Sequence, residues 1–495
     1  MGALQGKALS GEGYNMTRGL HATFVALCIG VLALPAAAAV TIEVNLPRDQ
    51  IRLDTVNGAL AVRVNADRYE PLADPGAPAL PFRVVSVLLP QGADVASFSV
   101  ASRGDRVIAE AVNLATAAPQ MLDGIAGTSL PLAPAAVSGV FPGERARLLG
   151  VGTLHGYTIA SFAVFPLRTS NGDLVWSEHL ELRVETRLST RPMVKLERRR
   201  SDVRERARAE ILSLVENPQA LDAYVFNEMD VAKRHGGFQA TPFPALEGSP
   251  VDYLIVTPDS LAAAYQVFAD YKTKKGVPTV VRTIEWITAN TRNGADPQET
   301  IRNFIIEAYA KWGITYVLLG GDTEQVPARF VWSGFYDGGR FLPADMYFGC
   351  LDGDWNAEHD AIFGEELPAG TDWPDLFAEV YVGRLPTRSA AEVAMMTSKI
   401  IAYETPAAPS YTNSVLMLGE VLFPMNWAPP QPVTLNGADL TEAVYIGNPV
   451  LQSPGMSVTR MYETNDLFPG SVPENKTAAM AALNSGYNHV IHVGH

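Results

Sequence analysis

At 495 residues, 47% apolar and 18% charged, the chain is long enough for two or three domains with a sizeable core, and it is not a disordered protein. A formal net charge of −15 leaves no overall basic balance to neutralise phosphates, which argues against nucleic acid as a partner. Its two cysteines exclude a disulfide scaffold, because Cys28 falls in a removable leader and leaves Cys350 alone.

Met16-Thr17-Arg18 supplies a basic flank, Ala22 to Leu34 an apolar run, and Pro35 to Ala39 a small-residue end. This is the pattern of a secretory signal peptide cut near Ala38 or Ala39, so residues 1–39 read as an extension and leader. The apolar run is short for a membrane anchor and no later run spans a bilayer, so the mature chain is expected to be secreted or at the cell surface, without a transmembrane segment.

Residues 40–190 alternate with period two, as in Val40-Thr41-Ile42-Glu43-Val44 and Leu180-Glu181-Leu182-Arg183-Val184-Glu185. Such alternation marks half-buried antiparallel strands, and Asn171-Gly172 between two apolar runs marks a tight hairpin. An all-β unit of the sandwich type is expected. Residues 191–250 form a connector: Lys195 to Arg206 mixes bases with acids and reads as a solvated helix face, Ser201 to Val215 is helical in pattern, and Glu228 to Pro250 is a polar linker. Its Lys233-Arg234 pair is either a processing site or simply solvated.

From Val251 the rhythm becomes strand, helix, strand. Tyr253 to Val256 is a strand, and Asp259 or Ser260 can cap a helix with the stripe Leu261, Ala264, Tyr265, Phe268 and Tyr271. Thr279 to Val281 follows, and then Asp296-Pro297-Gln298-Glu299 opens a helix with an N-cap, a first-position proline and a capping-box glutamate. Tyr316 to Leu319 and Val380 to Val382 are further strands, the second leading to a helix opened by Ser389 and Glu392. After a short linker at Pro406 to Ser410, a second unit repeats the rhythm. Val415 to Leu418 is its first strand, with a helix near Asp439 to Tyr445, a strand at Val458 to Met461, a helix after Pro473, and a terminal strand. Alternating strands and helices imply parallel sheets, whose carboxyl ends collect active-site groups. Asp322, Glu420 and His495 stand at such ends.

Two metal patterns also arise. Asp352, Asp354 and Asn356 repeat the first ligand positions of a calcium loop, with Asp360 beyond, although Ala357 replaces the glycine an EF-hand needs. The pattern fits either a looser calcium site or a solvated acidic turn. His489, His492 and His495 recur every third residue, but on a strand that spacing alternates faces, which argues against a three-histidine zinc site.

Taken together, several segments resemble the gingipain-type cysteine peptidases, family C25 of the caspase-like superfamily. They are Tyr316 to Asp322 with Val326-Pro327, Asp345-Met346-Tyr347-Phe348, Leu351-Asp352-Gly353-Asp354-Trp355-Asn356, Val382-Gly383-Arg384-Leu385-Pro386 and the Gly494-His495 pair. Gly76-Ala77-Pro78-Ala79-Leu80-Pro81 is similar to the family's propeptide. The resemblance implies a multidomain chain: a β-sandwich propeptide (40–190), the connector, and a caspase-like α/β domain of two parallel-sheet half-domains, 251–405 and an incomplete 413–495. It implies a cysteine–histidine dyad with His495 as the histidine, Glu420 as the acid near it, and Asp439 as a specificity-pocket residue. It also implies structural calcium and a protein or peptide substrate.

The nucleophilic cysteine of the resemblance would follow the next strand, beyond His495. Cys350 is a poor substitute, since Asp345, Asp352 and Asp354 surround it in sequence and a reactive thiol needs an electropositive setting. The function expected is that of a secreted precursor of a cysteine endopeptidase whose nucleophile is not among these residues. The alternatives are a non-catalytic, calcium-stabilised surface or secretion component, and a sortase-type transpeptidase on the same scaffold.

Overall fold

The computed structural model describes residues 39–495 except 57–58, 67, 72–76, 116–138, 191–195, 197–200, 227–249, 334–339, 366–371, 373, 406–411, 425, 434 and 495. The leader with Cys28, the Lys233-Arg234 pair, the Pro406 to Ser410 linker and His495 therefore lie outside the described residues. The fold is mixed α/β with several sheets, antiparallel toward the N-terminus; beyond Val251 the two four-stranded sheets are parallel, and two short antiparallel pairs, Phe330–Ser333 with Arg340–Pro343 and Val421–Phe423 with Leu435–Asn436, stand beside them.

The alternating N-terminal segments pair as their pattern requires. The long strand Asp173–Leu188 takes Ala39–Asn45 on one side and Ala93–Ala109 on the other, both antiparallel. It is joined to Leu167–Ser170 by Asn171 and Gly172, both at positive φ, the conformation a two-residue hairpin favours. A second sheet has the order Tyr69–Pro71, Pro81–Leu88, Tyr157–Val164, Ala146–Leu154. Ile42, Val44, Leu180, Leu182 and Val184 of the first sheet share one core with Val85, Val87, Phe162 and Val164 of the second. The helix Ser201–Leu214 then packs Ile211 against Leu88, Tyr157 and Ile159.

Beyond it lies a four-stranded parallel sheet in the order Thr279–Thr283, Tyr253–Thr257, Tyr316–Gly320, Tyr381–Leu385. The middles of its central strands, Leu254-Ile255-Val256 and Val317-Leu318-Leu319, are apolar because both faces are covered there. Leu254, Val256, Val317 and Leu319 pack on the helix Pro297–Trp312 through Ile301, Phe304 and Ile305. Ile255 and Leu318 face the opposite way, onto Leu261, Tyr265 and Phe268 of Asp259–Lys274. That helix is capped by Pro258 with no side-chain bond, so neither Asp259 nor Ser260 is its N-cap; the Asp259 amide instead donates to Glu285. Glu285 belongs to a short helix, Ile284–Asn290, that the periodicity does not reveal; Thr283 caps it.

A second parallel sheet has the order Val472–Pro473, Ser457–Tyr462, Ser414–Gly419, His489–Val493. Leu416, Leu418 and Met461 pack on Ala478, Ala479 and Ala482 of the helix Lys476–Ser485. Among the described residues no helix is long and apolar enough to cross a membrane.

Asp296 does two jobs at the head of Pro297–Trp312. It caps the helix by accepting the Glu299 amide at 2.8 Å, and its carboxylate receives two Arg329 nitrogens at 2.8 Å each. Arg329 is buried, with its guanidinium over the Phe363 ring at 3.8 Å. Asp296→Ala therefore leaves a buried cation without its partner and is expected to cost about 3 kcal/mol or more, while Asp296→Asn, which keeps a cap acceptor, costs less. Urea unfolding followed by tryptophan fluorescence measures both. A loss below about 1 kcal/mol for Asp296→Ala would mean that the aromatic contact suffices.

Candidate active site

The second parallel sheet delivers three titratable side chains to its carboxyl edge. Glu420 follows Ser414–Gly419 directly, and its backbone is clamped: its amide donates to Val493 at 3.0 Å and its carbonyl accepts from Gly437 at 2.8 Å. His492 lies in register with Leu418 on the neighbouring strand, with Nε2 3.2 Å from Glu420 Oε1. Glu474, just past Val472–Pro473, accepts the Gly419 amide at 2.9 Å. Burial pushes the Glu474 carboxyl up to about 7, with the negative charges of Glu420 and Glu463 adding to the effect against the opposing pull of the Gly419 amide and His492.

Two glycines make this crowding possible. A Cβ on Gly494 would sit 2.3 Å from His492 Nε2 and 2.7 Å from Glu420 Oε2. One on Gly437 would meet the Val493 carbonyl at 2.3 Å, so only glycine lets the helix Gly437–Gly447 start against the strand ends. Asn436 caps that helix by accepting the Ala438 amide, which leaves Asp439 exposed in its first turn. His495 itself lies one residue beyond the described Gly494.

The first sheet has a different cluster, beneath the strand Ala146–Leu154. Cys350 is fully buried and its Sγ donates to Asp375 Oδ1 at 3.1 Å. Asp375 Oδ2 accepts the Thr153 amide at 2.7 Å, and a Glu379 oxygen accepts the Leu351 amide at 2.8 Å. Asp352 is 8% exposed, and its carboxyl faces that of Asp375, with no N–H group of the described residues donating to either oxygen. The donor atoms of Cys350, Asp352 and Asp375 lie within 4.8 Å of one another. Burial and then the neighbouring negative charges push the Asp352 carboxyl well up, and Glu379 up to about 8. Burial likewise pushes the Cys350 thiol far up, with Asp375, Glu379 and Asp352 adding to it.

The four residues of the calcium pattern are thus divided. Asp352 turns inward toward Asp375. Asp354 and Asp360 accept loop amides at Asn356 and Ile362, and the Asn356 side chain bonds both the amide and the carbonyl of Asp360. Asp322 is ion-paired with Arg388. Asp375, Glu379, Glu474 and the role of His492 are absent from the sequence reading. One signal was available: Glu379 is a carboxylate abutting the apolar run Val380 to Val382.

The model of peptidase family C25 matches residues 247–495. The chain is also similar to a solved complex of the pro- and mature domains of RgpB from Porphyromonas gingivalis, at 20% identity and TM-score 0.34 over 49% of this chain and 48% of that one. A structure of gingipain K from the same organism, solved for its zymogenic latency, matches at 17% identity and TM-score 0.24 over 32% of this chain and 97% of that one. Dimeric latent PorU, again from that organism, matches at 14% identity and TM-score 0.25 over 74% of this chain and 38% of that one. No curated protein matches. The chain spans only 48% of the RgpB chain it matches.

The burial of Cys350 makes its reactivity a measure of opening. In a Cys28→Ser chain, the native protein is expected to react with a thiol-specific disulfide reagent at pH 8 at least ~100-fold more slowly than the urea-unfolded chain. Comparable rates in the two states would show an accessible, ionisable thiol and contradict the closed cluster.

Proposed function

The chain belongs to peptidase family C25, and from that premise we propose that it is the precursor of a gingipain-like cysteine endopeptidase working by a cysteine–histidine dyad. The observation that supports this most is the gathering of Glu420, His492 and Glu474 at the carboxyl ends of parallel strands, in the segment that runs directly into Gly494 and His495. In this reading His495 takes the proton of a cysteine thiol, and the thiolate attacks the scissile carbonyl while backbone N–H groups hold the oxyanion. The imidazolium then protonates the leaving amine, and water activated by His495 hydrolyses the thioester and returns the thiol. Glu420, its backbone held between strand and helix, orients the imidazole. Asp439, exposed at the head of the helix packed on these strand ends, would meet a basic substrate side chain.

Cys350 has no part in that dyad. A thiol buried among acids is held protonated, the opposite of what a nucleophile needs. The β-rich region 40–190 is read as a β-sandwich propeptide docked on a first half-domain, 251–405, with 413–495 as the second. With its leader, the precursor is destined for secretion or the cell surface.

Calcium is the proposed structural ion, held by Asp352, Asp375 and Glu379 rather than by the linear set Asp352, Asp354, Asn356 and Asp360. Hard carboxylate oxygens suit it, and the buried Asp352 carboxylate, which receives no N–H donor from the described residues and lies within 4.8 Å of the Asp375 oxygen, fits a cation between them. When bound, the ion would offset the mutual repulsion of these carboxylates.

Two outcomes are expected. In the whole gene product, assayed on peptidyl-arginine amides, His495→Ala lowers kcat by about 10²–10⁴-fold, whereas Cys350→Ser leaves kcat unchanged once folding is matched. Abolition of cleavage by Cys350→Ser would make that thiol the nucleophile and sink the reading. Separately, calcium at about 100 times its Kd should stabilise the chain by about 2.7 kcal/mol, seen as a Tm lowered by chelator, and Asp375→Asn should remove the effect. A Tm indifferent to chelator would reject the ion.

A further inference from the structure

Glu420, Glu474 and His492 come from three separate segments of the second sheet, and their ligand atoms all lie within 4.8 Å of one another. The geometry points to a transition-metal site: we propose that these three side chains bind a divalent zinc ion at the carboxyl edge of the sheet. The donor set is one imidazole nitrogen and two carboxylates, which suits zinc and does not suit calcium, a cation that takes oxygen ligands.

The spacing is near what the ion needs. His492 Nε2 and Glu420 Oε1 are 3.2 Å apart, and two ligands on a tetrahedral zinc with bonds of about 2.0–2.1 Å stand about 3.3 Å apart. Glu474 is oriented from behind by the Gly419 amide, the kind of outer hydrogen bond that fixes a ligating carboxylate. Gly494 keeps the cradle open, because any Cβ there would fall 2.3 Å from His492 Nε2 and 2.7 Å from Glu420 Oε2. The side chains of His492 and Glu420 are 43% and 30% exposed, so an ion has a path from solvent. Glu463, bonded to the Val421 amide nearby, adds negative charge that favours a cation. Three protein ligands leave a fourth position for water.

This site differs from the three-histidine pattern of the sequence. His489 is three residues away along the same strand, and His492 alone of the described histidines joins the glutamates. It is also separate from the Cys350 cluster, which lies on the first sheet. The proposal concerns binding and stands independently of the peptidase reading, so loss of one does not remove the other. It has a consequence for that reading: zinc would hold Glu420, the group assigned to orient His495, and would act as an inhibitor.

The test is calorimetric titration of the 495-residue chain with zinc chloride in calcium-containing buffer. One zinc per chain is expected, with affinity at least 10-fold weaker in His492→Gln and in Glu474→Gln, and unchanged in His489→Gln and Cys350→Ser. Absence of stoichiometric binding, or binding lost with His489→Gln or Cys350→Ser instead, overturns the assignment. Where a variant fails to fold, cobalt(II) substitution in the Cys28→Ser chain, whose one thiol is Cys350, decides. Tetrahedral d–d bands without thiolate-to-cobalt charge transfer support the site, and a charge-transfer band places the ion on Cys350 and overturns it.

Discussion

The N-terminal β-rich region and the first parallel sheet meet on a group of carboxylates kept out of water, and much else follows from how that charge is held. Asp375 is the hinge of the arrangement: one oxygen takes the amide of Thr153, from a strand 222 residues away in sequence, and the other takes the Cys350 thiol. Burying like charges side by side raises their pKa values and works against folding unless something compensates. Arg302 holds the loop from outside, donating to the carbonyls of Tyr347, Cys350 and Gly353. Gly152 allows the closest approach, since a Cβ there would lie 2.5 Å from the Phe377 ring and 2.9 Å from Asp375 Cβ. The same few carboxylates therefore set both the protonation of the cluster and the seating of the β-rich region. The hairpin tip adds a second tie, as buried His155 sits between Tyr309 and Glu210.

At the other sheet the same chemistry has a different outcome because the topology differs. Parallel strands all end at one edge, so residues distant in sequence arrive together there. Glu420, Glu474 and His492 are assembled by that rule alone; no local motif links them. What local sequence contributes is the absence of side chains at Gly437 and Gly494, which lets a helix and a histidine–glutamate pair close on the strand ends.

This division explains what could be read from residues in order. The Asn171-Gly172 hairpin and the Asp296-Pro297 helix start are local events, decided by backbone conformation and a capping side chain, and both are legible. The parallel strands are legible too, because burial on both faces leaves a continuous apolar run such as Leu254-Ile255-Val256. The helix Ile284–Asn290 is too short for periodicity to mark, and the His155-Gly156 turn lacks the usual asparagine although both residues take positive φ. The acid clusters were hidden for a deeper reason. Spacing in Asp352-Gly353-Asp354-Trp355-Asn356 describes a loop as though its side chains converged, yet Asp352 turns into the core to face Asp375 while the others bind their own backbone. Likewise the alternation argument separates His492 from His489 along their strand, but it says nothing of a glutamate arriving from the strand beside it.

The two clusters also show why Cys350 and His492 belong to different kinds of site. Around Cys350 the walls are closed, and burial together with three acids keeps the proton on sulfur. At the edge of the second sheet the walls are open, His492 is half in water, and Glu474 titrates near neutrality, at about 7. A group that must give and take a proton in each turnover needs a pKa close to the working pH and a route to solvent. Glu474 at the open edge has both, whereas the closed pocket, although Glu379 within it is pushed up to about 8, lacks the route to solvent. Enclosed acids hold a cation or a proton as part of the structure; acids at a strand end with a histidine among them are placed to exchange one.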